Sequence, residues 1–296
     1  MSPNLKDLVP GLTWSLLALG IWSGSLVLTR LGVTTTLNAY DLVALRFSVA
    51  SVLLLPVIWR YGFAGERLGI AGLAMIVTGY GAPYMLVIAF GLGFASAGAA
   101  GAINPGLMAA IVAVVGWRMF GDVMTLRRAV GIATILAGIG LLLAAIYDPS
   151  ALPGYGLLVA SAVLWASYAL MIRSAGIPAA QATAIVAVGS AVVYLPVYIL
   201  ALPKGLGDAP LADILLQAGF QGVGVGVIAL FAFNRSCERL GSAAGAAMPA
   251  LIPLTTQALA WLILGEAVSL PQLSAAAVTG VGVALCVLPV RPRACR

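Results

Sequence analysis

The chain consists almost entirely of long apolar runs, separated by short segments that carry charge, glycine or proline. Each run has roughly 20 residues, the length that an α-helix needs to cross a hydrocarbon core about 30 Å thick. The runs are rich in Ala and Leu and lack the period-two alternation of membrane strands. We therefore predict ten transmembrane helices, at residues 10–30, 38–60, 68–90, 95–117, 126–146, 154–173, 180–201, 212–234, 241–264 and 271–290.

Composition supports an all-α polytopic membrane protein. The 296 residues are 62% hydrophobic and only 8% charged, which is more apolar surface than one soluble core of this length can bury. The net charge of +6 comes from basic residues scattered singly at the ends of apolar runs, and no patch interleaves them with exposed aromatic residues. We therefore expect a lipid bilayer as the surrounding medium and no nucleic-acid partner.

The distribution of Lys and Arg predicts the orientation. With a cytoplasmic N-terminus, twelve of the fifteen basic residues fall on the inner side, Arg30 and Lys204 fall outside, and Arg46 lies within a helix. This asymmetry is the one that membrane insertion imposes, so we expect a bacterial-type inner membrane protein with both termini in the cytoplasm. Cys237, Cys286 and Cys295 then lie at or near the inner side, where we expect reduced thiols and no disulfide.

Two halves of the sequence match each other. A shift of 143 positions places Trp22 on Trp165 and Arg30 on Arg173. A shift of 144 places Pro105 on Pro249, Trp117 on Trp261 and the pair Gly121-Asp122 on Gly265-Glu266. We predict two five-helix repeats, residues 1–148 and 149–296, and because five is odd the second repeat must cross the membrane in the opposite sense.

An inverted repeat favours secondary transport, because two homologous bundles facing opposite ways can expose a central site to either side in turn. The sequence has no GxxxxGK[ST] loop for ATP, no His and no acidic residue in the middle of a helix. We therefore expect no enzyme activity, no metal or organic cofactor and no obligate protein partner, while a channel or structural subunit remains the alternative class.

Aromatic residues at mid-membrane depth are the first candidates for a substrate site. Trp22 and Trp165 each lie about twelve residues into their helices, so their N–H groups reach no headgroup or bulk water. Tyr80 and Tyr84 share one face of the third helix, and Tyr168 shares the face of Trp165. We predict that these five residues line a cavity, with packing between helices as the alternative.

Small polar residues and prolines complete the candidate set. Ser25 lies one turn after Trp22, and Asn104 offers both amide donors and an acceptor. Four prolines mark the expected hinges, since each lies near small residues and a proline inside a helix frees a backbone carbonyl one turn earlier. They are Pro83 in the third helix, Pro105 in the fourth, and Pro249 and Pro253 in the ninth.

Arg46 is the one basic residue well inside a predicted helix. A guanidinium at that depth needs a counter-charge, carbonyl groups or water. Asp41 is five residues away, which is a poor spacing for a direct pair. We assign both residues a structural or charge-pairing role, and binding of a substrate carboxylate by Arg46 is the sharper alternative.

The segment from Leu19 to Pro56, LGIWSGSLVLTRLG followed by AYDLVALRFSVASVLLLP, resembles the drug/metabolite transporter superfamily of EamA type, as do the Gly-acid ends at 121–122 and 265–266. The resemblance covers all ten predicted helices, and within the superfamily the chain is similar to YddG-like exporters of aromatic amino acids. It implies a central cavity formed mainly by helices one to four and six to nine.

The resemblance and the aromatic candidates together favour export of aromatic and other mostly neutral amino acids by alternating access. A strongly anionic cargo would require several buried bases. The alternative cargo is a hydrophobic drug, an organic cation or another small metabolite, for which aromatic walls serve equally well. Proton coupling and export driven by the substrate gradient both remain open.

Overall fold

The computed structural model describes residues 5–146, 148–240 and 248–287. These residues are 87% helical and contain no strand, which confirms the all-α prediction. The α-helices are α1 (Leu5–Thr34), α2 (Ala39–Tyr61), α3 (Gly65–Tyr80), α4 (Ala82–Phe94), α5 (Ala97–Phe120), α6 (Leu126–Ala145), α7 (Leu152–Ala175), α8 (Ala179–Ala201), α9 (Leu211–Gln217), α10 (Ala229–Leu240), α11 (Ile252–Leu264) and α12 (Leu270–Val287).

Nine helical segments of this described part are long and apolar enough to cross a membrane. The shorter apolar segment Met248–Leu264 corresponds to the ninth predicted helix, whose first residues, 241–247, lie outside the described ranges. Most predicted helix ends agree with the observed ones within a few residues. The largest differences are at α1, which begins at Leu5 and continues to Thr34, and at α10, which continues to Leu240.

The third predicted helix is divided at Gly81 into α3 and α4. Gly81 has non-helical backbone angles, and Pro83 lies in the first turn of α4, where its missing N–H breaks no helical bond. The N–H of Ala82 instead donates to Oγ of Ser190 on α8, at 3.1 Å. A side chain of another helix therefore satisfies the donor that the break exposes.

The eighth predicted helix, at residues 212–234, is helical in the structure but is not α-helical throughout. Residues Ala218–Ile228 form a π-helix between α9 and α10. Within it, Gly222 and Gly226 lie against Val49 and Ala50 of α2, at distances that leave no room for a Cβ atom. Glycine therefore lets the π-helical backbone approach α2 closely. The length of an apolar run predicts a helix but does not show whether its turns are α-helical or π-helical.

α6 and α12 pack extensively against each other, at the periphery of the bundle. Their contact relies on small residues: a Cβ atom on Gly282 would lie 2.6 Å from the backbone N of Ile135 and 2.8 Å from the carbonyl oxygen of Gly131. Backbone atoms cannot move aside as a flexible side chain can. The two helices therefore approach at a distance that only glycine permits.

Replacing Gly282 by Ala is expected to destabilise the protein by about 1–3 kcal/mol through overpacking. The measurement is the midpoint of thermal unfolding of purified protein in detergent. Gly140→Ala on α6 is the matched control, because its Cβ would meet nothing within 4 Å. Equal midpoints for the two variants would show that the α6–α12 contact is loose.

Candidate functional site

A cavity lies in the middle of the bundle and is lined from both repeats. Its volume is about 40 Å³, enough for a few water molecules and too small for an amino acid. α6, α8 and α12 contribute none of the residues that surround it. The lining residues are Trp22, Ser25, Leu26, Thr29, Arg46, Tyr80, Tyr84, Met85, Ile88, Asn104, Pro105, Trp165, Val225 and Ile252. We call this space the central cavity.

Six of the seven predicted substrate-binding residues line the central cavity, and Tyr168 does not. Three aromatic rings lie around Tyr80, and together with Tyr80 they form a group of four that we call the aromatic wall. Tyr80 stacks on Tyr84 and on Tyr168 with ring centroids 5.0 Å apart, and Trp165 lies 5.7 Å from Tyr80 and 6.4 Å from Tyr84. Tyr168 therefore supports the wall from behind Tyr80, because its position on α7 is one turn beyond Trp165.

The two tryptophans that the repeat relates, Trp22 of α1 and Trp165 of α7, both line the central cavity. Trp22 also contacts Phe233 of α10, with ring centroids 5.4 Å apart. The internal match in the sequence thus corresponds to equivalent positions on the two first helices of the repeats. Each repeat contributes one indole to the cavity.

Arg46 is 5% exposed and lies at the edge of the aromatic wall. Its Nη1 is 3.5 Å from Sδ of Met85, and its guanidinium carbon is 5.8 Å from the centre of the Tyr80 ring. Among the described residues, no carboxylate lies within 4 Å of this guanidinium. Of the structural or charge-pairing role that we predicted for Arg46, a pair with a carboxylate is therefore not present among the described residues.

Asp41 has its own partners at one end of α2. Its carboxylate accepts a hydrogen bond from the hydroxyl of Tyr198, at 2.6 Å, and others from the backbone N–H groups of Asn38 and Gly205. Asn38 in turn caps α2 by accepting from the N–H of Asp41. Asp41 thus joins α2, α8 and the loop that follows α8, away from Arg46.

Asn104 of α5 lies in a polar contact between three helices. Its Nδ2 donates to Oγ of Ser161 on α7 at 2.6 Å, and its Oδ1 accepts from the hydroxyl of Tyr84 at 3.4 Å. The longer of these two bonds is the weaker one. The amide oxygen is therefore the part of Asn104 that a ligand in the central cavity can recruit.

The π-helix is tied to the cavity side of α1 through Gln221, which is fully buried. Its Oε1 accepts from the hydroxyl of Ser25 at 3.1 Å, and its Nε2 donates to Oγ1 of Thr29 at 3.0 Å. Ser25 thus makes a contact between helices and also lines the cavity. Thr29 was missed, although positions 22, 25 and 29 share one helical face.

The predicted hinge prolines differ in their surroundings. Pro105 lies inside α5 and lines the central cavity, so the carbonyl of Gly101 has no helical N–H partner. Pro249 and Pro253 were expected as hinges within the ninth helix, whose residues 241–247 lie outside the described ranges. Pro249 lies in the 3₁₀ turn Met248–Leu251, and Pro253 lies in the first turn of α11, where proline is favourable.

Ion pairs between the repeats lie at both ends of the bundle. At one end, which we call the Glu266 end, Nε of Arg30 is 3.6 Å from the Glu266 carboxylate, which also accepts from the N–H of Ala97 at 3.2 Å. Arg30 donates to the carbonyl of Leu92 as well. At the other end, the Asp122 end, Arg173 donates two hydrogen bonds to Asp122, at 2.7 and 2.8 Å.

These two pairs are exchanged by the internal repeat, because Arg30 matches Arg173 and Asp122 matches Glu266. Each pair therefore joins an arginine of one repeat to an acid of the other. The hydrogen bonds from Arg173 hold the pKa of the Asp122 carboxyl below its usual range, so this pair persists at neutral pH and is lost only as the pH falls through that lowered pKa. The matches of Arg30 with Arg173 and of Asp122 with Glu266 are visible in the sequence. From them we placed the two acids at helix ends and did not predict the ion pairs.

Comparison with known families decides the class of protein. The model of the EamA-like transporter family matches the chain twice, at residues 9–144 and 152–288. The chain belongs to the EamA-like transporter family. This EamA-like protein is therefore a multi-pass membrane transporter built from two five-helix repeats, as the resemblance implied.

Solved structures support the same fold. A crystal structure of another protein matches this transporter with a TM-score of 0.59, at 22% sequence identity, over 95% of each chain. At this identity the match shows the fold alone. The comparison with curated proteins returns no match. The cargo of this EamA-like transporter must therefore be argued from its own residues.

Proposed function

We propose that this transporter exports amino acids, with a preference for aromatic and other mostly neutral ones, by alternating access around the central cavity. The observation that carries the proposal is Arg46, a buried guanidinium that lines the cavity without a carboxylate partner among the described residues. A buried charge without a counter-charge is costly. A substrate carboxylate in the central cavity supplies that counter-charge.

The aromatic wall fits the other end of such a substrate. Tyr80, Tyr84 and Trp165 present flat apolar faces beside Arg46, and Asn104 offers an amide oxygen to an ammonium group. An amino acid combines all three features: a carboxylate, an ammonium group and a side chain. An organic cation is disfavoured, because it would place a second positive charge next to Arg46.

The size of the central cavity supports movement as part of the cycle. At about 40 Å³ it cannot hold an amino acid, so binding requires that the two repeats separate. Ion pairs join the repeats at both ends in this structure, and we expect that opening toward either side breaks one of them. These contacts are the elements that we expect to alternate.

The proposed orientation determines at which end of the bundle an exported substrate enters and at which end it leaves. With both termini in the cytoplasm, the Asp122 end faces the cytoplasm and the Glu266 end faces outward. This placement is consistent with the observed pairs, since each joins residues that the topology puts on the same side of the membrane. Export then proceeds from the Asp122 end to the Glu266 end.

Removing either symmetric indole tests the location of the site. We expect Trp22→Ala and Trp165→Ala to lower the saturable uptake of L-phenylalanine into liposomes at least ~10-fold, through loss of aromatic contact area. Trp261→Ala is the matched control, because that indole is 62% exposed on α11 and should leave uptake unchanged. Normal uptake by both cavity variants would show that these indoles pack between helices and do not bind substrate.

A further inference from the structure

A second cavity lies between the central cavity and the Asp122 end, and we call it the vestibule. Its volume is about 190 Å³, several times that of the central cavity. Pro105 of α5 lines both spaces, so the two cavities meet at this residue. At its far end the vestibule is bounded by Asp122, Arg128 and Arg173.

We propose that the vestibule is a loading site, at which Arg128 and Arg173 bind the carboxylate of an amphipathic substrate before it reaches the central cavity. The inference rests on the proposed function for the nature of the cargo, and it adds a site that is distinct from Arg46. The bound carboxylate takes the place of Asp122 on Arg173.

The charges at this end of the vestibule are unequal. Two guanidinium groups face one carboxylate: Arg173 is bound to Asp122 through two hydrogen bonds, whereas Nη1 of Arg128 is 3.9 Å from the same carboxylate. Arg128 donates its hydrogen bond to the carbonyl of Val123 instead. The excess positive charge attracts an anion, and the planar guanidinium of Arg173 is already shaped to hold a carboxylate by two bonds.

The remaining wall suits an apolar side chain. Met108 and Val112 of α5, Val283 of α12 and Pro249 line this part of the vestibule. An amphipathic acid can therefore place its carboxylate at the arginines and its side chain against these residues. A small inorganic anion would leave that apolar wall uncovered, so the space selects for a carboxylate with an apolar tail.

Loading at this position also has a mechanical consequence. Asp122 belongs to the first repeat and Arg173 to the second, so their pair holds the repeats together at this end. A substrate carboxylate that replaces Asp122 on Arg173 breaks the contact between the repeats without leaving either arginine unpaired. Substrate binding thereby favours opening at the end from which the substrate arrives.

The test separates the two sites by mutation. Binding of labelled L-phenylalanine is measured on purified full-length protein carrying Arg46→Gln, which removes the charge of the central cavity. We expect binding to persist in this variant, to fall about 10-fold on adding Arg128→Gln, and to rise on adding Asp122→Asn, which removes the competing carboxylate. Phenethylamine, which lacks the carboxylate, should not compete.

Protection of a cysteine thiol from alkylation shows where the ligand is bound. Cys286 lines the vestibule, and with Cys237→Ser and Cys295→Ser it is the remaining native thiol. L-Phenylalanine should slow its alkylation by N-ethylmaleimide in the Arg46→Gln background. Met108→Cys, combined with Cys286→Ser, provides a second reporter on a different helix, α5, and should be protected in the same way.

Loss of phenylalanine binding in Arg46→Gln alone would overturn the loading site, because only the central site would then hold substrate. Protection by vesicles containing phosphatidylglycerol, with none by phenylalanine, would also overturn it by assigning the arginines to a lipid headgroup. Uptake by the unmutated protein reports on the proposed function separately. Normal phenylalanine uptake with no vestibule binding rejects the loading site alone, and no uptake rejects the proposed cargo.

Discussion

Replacing Arg46 by Gln is expected to abolish measurable uptake of L-phenylalanine while the protein remains folded. Truncating one partner of a buried charge pair costs about 2–5 kcal/mol, which corresponds to at least ~30-fold weaker binding of the carboxylate. Gln also removes an unpaired buried charge, so folding should not suffer. Uptake into liposomes and the midpoint of thermal unfolding, measured on the same preparation, distinguish the two effects.

Two further variants make this result specific. Arg46→Lys keeps the positive charge but loses the planar fork, so we expect partial uptake with a raised KM. Arg60→Gln removes an exposed guanidinium at the end of α2 and should transport normally. If Arg46→Gln transports phenylalanine with an unchanged KM, the guanidinium does not bind the carboxylate and the assignment of the central cavity fails.

Charge reversal at the two ends of the bundle is expected to trap the transporter in opposite states. Asp122→Arg places a third guanidinium group beside Arg128 and Arg173, and Glu266→Arg places a second one beside Arg30. Like charges in such contact cost several kcal/mol, which greatly exceeds the value of an exposed pair. Each variant should therefore hold its own end open and lose uptake.

Buried thiols report which end has opened. Cys286 lies in the vestibule, and a Leu92→Cys variant places a thiol on a fully buried residue of α4 whose carbonyl Arg30 binds. In a background without other cysteines, Asp122→Arg should speed alkylation of Cys286, and Glu266→Arg should speed alkylation of Leu92→Cys. Asp208→Arg, on the exposed loop before α9, controls for added charge.

Swapping the charges should restore function. Combining Arg30→Glu with Glu266→Arg, or Arg173→Asp with Asp122→Arg, rebuilds a pair with the opposite polarity, so uptake should recover in part. Recovery also excludes a simple folding defect in the single variants. If both reversals expose the same thiol, the two pairs do not act at opposite steps of one cycle.

The fold was predictable because lipid imposes strong constraints on sequence. Runs of about 20 apolar residues indicate membrane helices directly, and the weak point at Gly81 and Pro83 could be predicted from residues that do not continue a helix. The π-helix at Ala218–Ile228 could not be predicted, since its glycines are equally compatible with an α-helix. Its geometry depends on how closely α2 approaches, which is a property of the assembled bundle.

The aromatic residues that line the central cavity could be predicted from the sequence, whereas the partners of its charged residues could not. Depth and helical spacing placed Trp22, Trp165 and the tyrosine pair together, because neighbours at three and four positions share a face. The role of Arg46 depends on whether any carboxylate reaches it, and sequence does not show such distances. Asp41, which binds Tyr198 and Gly205, illustrates the same limit, since its partners lie more than 150 positions away.

The ion pairs between the repeats could have been predicted from the sequence. Arg30 and Arg173 match at one shift, and Asp122 and Glu266 match at another. The predicted topology puts Arg30 with Glu266 at one end and Asp122 with Arg173 at the other. The predicted topology alone therefore identifies candidates for ion pairs: they are opposite charges that two inverted repeats place on the same side of the membrane.

Uptake of labelled L-phenylalanine into liposomes by the purified, unmutated protein, with phenethylamine as competitor, tests the central claim most directly. The two molecules share the aromatic ring and the ammonium group and differ in the carboxylate that Arg46 is proposed to bind. We predict saturable phenylalanine uptake that excess phenylalanine blocks and phenethylamine does not. Saturable uptake of labelled phenethylamine, with none of phenylalanine, would contradict the amino-acid assignment and identify a carrier of organic cations.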